Sequence, residues 1–154
     1  MKGNEQIIVN FNRLLANEFT VANQYFLHAG IYKHWGLMKL HDIEYKEFLD
    51  EVEHADKYLK RILFLEGVPH IQNGNLCNVG NCVEEVLRVD LNLEYDAVSD
   101  LRECISYADS VHDFVSRDLM VKILVDEEQH IDFLETELSL ISRIGVYNYL
   151  QSQS

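Results

Sequence analysis

At 154 residues, 47% apolar and 25% charged, the chain fits one domain, residues 1–154, with a buried core, and its composition excludes disorder. One proline and seven glycines leave few chain breakers, which disfavours an all-β fold and favours a few long helices. A formal net charge of −13 excludes a nucleic-acid surface, which would need clustered Lys and Arg, and makes cations the better partners.

From Asn4 to Trp35, Ile7, Ile8, Phe11, Leu14, Leu15, Val21, Ala22, Tyr25 and Ile31 follow helical spacing, with Gly36 as a stop. A second helix runs from about Lys39 to Glu66 on Ile43, Phe48, Leu49, Val52, Tyr58, Leu59 and Ile62, and ends at Gly67 before Pro69. Residues 68–81 hold the only proline and a run of Asn and Gly, so they read as a crossover loop long enough to span a bundle. Helical periodicity then continues from about Cys82 to Ile144, which at ~1.5 Å per residue would make an implausible rod of about 90 Å. A turn must interrupt it, although only Asp113, a candidate helix cap, marks the place. Beyond Gly145 the last nine residues have room for one or two helical turns.

Two Glu-x-x-His tetrads supply the chemistry. EVEH (Glu51 to His54) and EEQH (Glu127 to His130) each follow a lone glutamate, Glu18 or Glu94, by 33 residues, so the whole set repeats at an offset of 76. With about one residue in ten a Glu, the two upstream glutamates together are roughly a one-in-a-hundred accident. Asp109 and His112 share the tetrad spacing but have Leu76, not a carboxylate, 33 residues before Asp109, and are set aside. On a helix, i and i+3 share a face, so each tetrad presents an oxygen and a nitrogen to one metal. Four carboxylates and two imidazoles on four helices are the ligand set of a redox-active metal pair in a four-helix bundle, with iron the first expectation.

The ligands also locate the missing turn. Residues level with one another in an antiparallel helix hairpin are equally far in sequence from its turn. The midpoint of Glu18 and Glu51 falls at 34 to 35, beside Gly36, and that of Glu94 and Glu127 predicts a turn at about Ser110 to Asp113. Two hairpins joined by a long crossover give an all-α, up-down-down-up bundle.

The same six residues read as solvated surface would not sit in apolar stripes formed by Leu14, Leu15, Ala22, Tyr25, Val52, Ala55, Leu91, Leu93 and Ile131. Tyr25 and Tyr58, on the helix faces of Glu18 and His54, are core tyrosines with a satisfied hydroxyl, or partners of a ligand. Glu47 and Asp50 read as a solvated face, with a supporting or metal-access role as the alternative. Cys77, Cys82 and Cys104 match no zinc spacing and are expected as free thiols. The opening MKGNEQIIVN lacks the apolar run of a signal peptide, and no stretch of about 18 uncharged apolar residues follows, so the expected address is the cytoplasm, off the membrane.

Beyond the ligand set, NQYFLHA (Asn23 to Ala29), WGL (Trp35 to Leu37), HADKYLKRILFLEGVP (His54 to Pro69), YADSVHDFVSRDLM (Tyr107 to Met120) and NYLQSQ (Asn148 to Gln153) span nearly the whole chain. In these stretches the sequence resembles the bacterioferritins, within the ferritin-like superfamily. The resemblance implies a four-helix bundle with a short fifth helix after Gly145, assembled as a hollow shell of about two dozen subunits. It implies that Fe²⁺ is oxidised by O2 or H2O2 at an intrasubunit centre and stored as ferric mineral. Glu51 and Glu127 would bridge two irons, with Glu18 and His54 completing one position and Glu94 and His130 the other.

One position departs from the pattern. The methionine that ligates haem between two subunits in the family directly follows the first glutamate of EVEH, where this chain has Val52. Met1, Met38 and Met120 do not replace it, so a shell of this chain alone is expected to lack Met-ligated haem, unless a second, haem-binding subunit type joins a mixed shell or haem packs without axial ligation. The competing functions are a di-iron oxidase or peroxidase without mineral storage and a shell whose metals serve stability alone.

Overall fold

The computed structural model describes residues 1–71 and 78–154. Helices α1 (Glu5–His34) and α2 (Met38–Phe64) form one hairpin, α3 (Val83–Ser110) and α4 (Phe114–Ile144) the other, and α5 (Val146–Gln153) closes the chain. The first hairpin docks on the second chiefly through α1 against α3. Cys77 and Leu76 lie outside the described residues.

The ends of the helices explain where the sequence speaks clearly. Asn4 caps α1, its Oδ1 accepting from the amides of Gln6 at 2.9 Å and Ile7 at 3.1 Å, and Asp113 caps α4 by accepting from the Ser116 amide at 3.1 Å. Helices α1, α2 and α3 all finish in the same way, with a left-handed residue followed by an amide that reaches back five residues. Those amides are Leu37 to the Tyr32 carbonyl at 2.9 Å, Gly67 to Ile62 at 2.9 Å and Asp113 to Ala108 at 3.0 Å. The left-handed residue is a glycine only in the first case, Gly36 at φ 78°; Glu66 at 62° and His112 at 61° take it in the others. The α3–α4 turn covers Val111 to Asp113, inside the span set by the ligand spacing.

Two apolar clusters fill the bundle. Ile7, Phe11, Leu14, Tyr58, Ile62, Leu101, Cys104, Met120 and Ile123 pack near one end, and Tyr32, Leu40, Val86, Leu87, Leu134, Ile141 and Tyr149 near the other. Tyr149 is the buried residue of α5, and its hydroxyl donates to Glu137. On every long helix the six ligand candidates fall between the segments that feed these clusters, so apolar side chains close off a polar layer at both ends.

One expectation about the apolar stripes is corrected. Val52 does not help to bury the acidic positions but is 41% exposed on the outer face of α2, with Leu49 and Tyr45. It follows Glu51 by one residue, a rotation of about 100° that points it out of the bundle when Glu51 points in. Cys82 is exposed and Cys104 buried, both as free thiols. Among the described residues, no helix is long and apolar enough to cross a membrane.

Candidate metal centre

All six sequence-selected residues converge between the helices, and none is more than 7% exposed. They form two groups of four whose donor atoms lie within 4.8 Å of one another: Glu18, Glu51, His54 and Glu127 in the first, and Glu51, Glu94, Glu127 and His130 in the second. Glu51 and Glu127 belong to both. The i, i+3 spacing places each imidazole beside carboxylates from neighbouring helices. His54 Nδ1 lies 3.1 Å from Glu127 Oε1, 3.5 Å from Glu51 Oε2 and 3.8 Å from Glu18 Oε2. His130 Nδ1 lies 3.1 Å from Glu94 Oε1.

Electrostatics set this cluster apart from a surface ion-pair network. Among the described residues, no Lys or Arg pairs with any of its carboxylates, so compensation comes from the imidazoles and from protons. Burial, and then the charge of Glu18, hold Glu51 well above the usual carboxylate range; burial with the charges of Glu94 and Glu51 does the same to Glu127. Burial raises Glu18 too, against hydrogen bonds to Glu51 and His54. For Glu94 burial is outweighed by the hydrogen bond and charge of His130, and the carboxyl is lowered. Burial opposes charge on the two imidazoles, yet hydrogen bonds to Glu127, Glu18 and Glu51 raise His54, and Glu94 raises His130 to about 9. The metal-free cluster therefore holds protons where a pair of divalent cations would balance the same charge. Glu18 Oε2, Glu94 Oε2 and His130 Nε2 are buried without a hydrogen-bond partner among the described residues, as expected of donors arranged for a ligand.

Residues 8–144 match the family of the ferritin-like domain. The chain belongs to the ferritin family. It is 42% identical over 154 residues to a bacterial ferritin of Synechocystis, with 99% of each chain covered. It is 42% identical over 151 residues to the bacterioferritin of Brucella melitensis, covering 98% of this chain and 94% of that one, and 41% identical over 154 residues to a bacterial ferritin of Pseudomonas aeruginosa, with 99% of each covered. These relatives place it in the bacterioferritin branch of the ferritins.

Around the ferritin cluster lie supporting groups that sequence singled out only in part. Tyr25 donates its hydroxyl to Glu94 and stands 3.3 Å from His130 Nδ1, so of the two tyrosines it is the one that partners candidate ligands. The Tyr58 hydroxyl is buried and has no partner among the described residues, against the expectation of a satisfied core tyrosine. Asp126, one residue before Glu127 and unrecognised in the sequence, sits 3.0 Å from His54 Nε2; accepting from that nitrogen, it turns Nδ1 toward the carboxylates. A cleft of about 480 Å³ reaches the cluster from outside, lined by the buried Glu51, His54, Glu127 and His130 and by the more exposed Glu47, Asp50 and Asp126. Glu47 Oε2 stands 3.7 Å from His130 Nδ1, while Asp50 is paired with Lys46 at 2.8 Å. Also missed was a buried group of His28, Glu44 and Asp90, although the same faces signal it: Glu44 lies two turns before Glu51, and Asp90 one turn before Glu94.

Proposed function

We propose that this chain stores and detoxifies iron, taking Fe²⁺ as substrate at the six-residue cluster and oxidising it to Fe³⁺ with O2 or H2O2. The product is held as ferric mineral inside a shell of about two dozen copies of the chain. The observation that carries the reading is a pair of buried four-donor groups that share two carboxylates and, among the described residues, have no Lys or Arg partner. Glu51 and Glu127, which belong to both groups, would be shared between the two iron positions, with Glu18 and His54 completing one and Glu94 and His130 the other. Membership of the ferritin family favours storage over oxidation of an organic substrate.

Each residue has a stated task. The carboxylates bind and neutralise the incoming cations, and oxygen donors of this kind favour Fe³⁺ over Fe²⁺ and so assist the loss of an electron. Protons held by His54 and His130 leave as iron arrives. Asp126 keeps the His54 ring oriented. Tyr25 supports Glu94 through its hydroxyl. Glu47, Asp50 and Asp126, on the cleft from outside, attract Fe²⁺ toward the cluster. The free thiols of Cys82 and Cys104 suit a reducing interior, and we assign the protein to the cytoplasm.

Haem does not fit this chain as it stands. The family's ligating position is Val52, which has no donor atom, so shells built from this chain alone carry no bis-methionine haem. A Soret band with a bis-methionine spectrum in such shells would overturn this reading; mixed shells with a second subunit type supplying methionine remain compatible with it. The storage reading is tested by anaerobic Fe²⁺ titration of the metal-stripped shell followed by oxygen. At least the two irons of the pair bound per chain, then uptake in large excess, is the expected result. Glu18→Ala or His130→Ala should reduce the oxidation rate to near the uncatalysed background with the shell intact. Unchanged rates in both variants would assign the site to stability alone, and a small assembly recovered iron-free from iron-rich cells would favour an oxidase without storage.

A further inference from the structure

One helical turn from Glu94, a second polar cluster is buried that the proposed oxidation does not use. His28 on α1, Glu44 on α2 and Asp90 on α3 are 0%, 2% and 0% exposed, and their donor atoms lie within 4.8 Å of one another. Among the described residues neither carboxylate has a Lys or Arg partner. His28 Nδ1 lies 2.8 Å from Asp90 Oδ1 and 3.9 Å from Glu44 Oε1. The Gln24 amide orients the ring. Its Nε2 donates to the carbonyl oxygen of Asn78 at 3.2 Å, an atom that can only accept, and stands 2.8 Å from His28 Nε2. His28 Nε2 is then the acceptor, and Nδ1–H donates to Asp90.

Among the described residues, that arrangement leaves three buried oxygens without a partner: Glu44 Oε1, Asp90 Oδ2 and the Tyr32 hydroxyl. With no metal, a proton shared between the two carboxyls relieves the repulsion. Burial, followed by the charge of Asp90, holds Glu44 well above the usual range, and burial pushes Asp90 to about 8. A native core seldom keeps two carboxyls this deeply buried with unused oxygens unless something else takes them up.

We propose that His28, Glu44 and Asp90 form a third metal site, a mononuclear one for a divalent transition-metal cation such as Fe²⁺, Co²⁺ or Zn²⁺, beside the proposed iron pair. One nitrogen and two carboxylate oxygens suit these ions better than Mg²⁺ or Ca²⁺, which take oxygen donors. Two ionised carboxylates and one divalent cation are neutral together, which removes the cost of burying the acids. Binding expels the proton held between Glu44 and Asp90. The proton on His28 Nδ1 is also given up as Nε2 gains one, and the Gln24 amide releases the Asn78 carbonyl and rotates so that its Oε1 accepts from Nε2–H. Asp90 precedes Glu94 by four residues, so the site lies ~6 Å along the bundle from the pair, close enough to hold a third iron next to it.

The site is tested on the assembled, metal-stripped shell by anaerobic equilibrium dialysis against Co²⁺, with zinc-soaked crystals read by anomalous scattering. Wild type should hold three Co²⁺ per chain. Asp90→Asn and Glu44→Gln, which keep the shape and neutrality of a protonated carboxyl and so preserve the fold, should each hold two. Glu127→Gln, which removes a carboxylate shared by both members of the pair, should lose pair metal and keep the third. A zinc peak among His28, Glu44 and Asp90 supports the site without any substitution. Two Co²⁺ per wild-type chain with no such peak would overturn it, and so would a third Co²⁺ that survives both Asp90→Asn and Glu44→Gln. An unchanged count in Glu127→Gln would instead count against the proposed iron pair, so the two failures are distinguishable.

Discussion

Tyr25 and Tyr58 are both fully buried beside the carboxylate cluster, yet truncating their hydroxyls should have opposite effects. Tyr25 donates to the ionised Glu94, and hydrogen bonds to charged groups contribute about 1.5–3 kcal/mol net. Tyr25→Phe should therefore destabilise the metal-free protein by about 2 kcal/mol. For a chain of this length that is a fall of roughly 4–8 °C in melting temperature, and the Glu94 carboxyl should move up as its donor is lost. Tyr58→Phe removes a hydroxyl that has no partner, and with it a desolvation cost, so it should leave stability unchanged or raise it by about 1 kcal/mol, roughly 2–4 °C. Scanning calorimetry of the chelator-stripped protein at one scan rate compares the two directly. A Tyr58→Phe melting temperature that falls as far as that of Tyr25→Phe would refute the hydrogen-bond assignment on which the difference rests.

Metal-free stability should fall as pH rises. His130 is raised from 6.5 to about 9, so its contribution of about 3 kcal/mol is fully present below pH 6.5 and is lost as the pH climbs through about 9. The raised carboxyls of Glu51 and Glu127 act in the same sense, and melting curves of stripped shells at pH 6 and pH 9 check the sign. Metal binding should release protons in this range, measurable with an indicator dye in weakly buffered solution. Asp113→Ala removes the α4 cap, the 2.6 Å bond from Ser116 Oγ and the 3.1 Å contact with Arg61, and should cost about 2 kcal/mol by calorimetry without altering metal stoichiometry. If the chain assembles as proposed, Val52→Met should give its shells a bis-methionine haem spectrum after reconstitution with haem, because it puts a sulfur donor at the exposed position where the resemblance places the haem ligand.

How much of this could be read in advance depended on which physical rule fixed each feature. The ligand spacing located the α3–α4 turn because rise per residue is the same in both arms of a hairpin, whereas local chemistry at the turn was silent. His112, not a glycine, takes the left-handed position there, and Glu66 takes it one residue before the expected stop at Gly67. The six cluster residues were legible because a repeated spacing is improbable without a cause. His28, Glu44 and Asp90 are no less buried, but they come one from each of three helices and share no repeated interval, so the helix faces of Glu44 and Asp90 hint at them and packing is needed to join all three. Val52 was misread because stripe membership was judged by proximity in sequence to Glu51, when a single residue of helical rotation takes a side chain off the face.

Neither hairpin owns a complete four-donor group. The α1–α2 arm contributes Glu18, Glu51 and His54 but borrows Glu127, and the α3–α4 arm contributes Glu94, Glu127 and His130 but borrows Glu51. During synthesis, the first arm leaves the ribosome without its fourth donor and cannot form the full group until α4 has emerged and docked. Under the proposed function, oxidative chemistry would thus be withheld from half-made protein, and once the arms have met, each captured ion would act as a rivet between them.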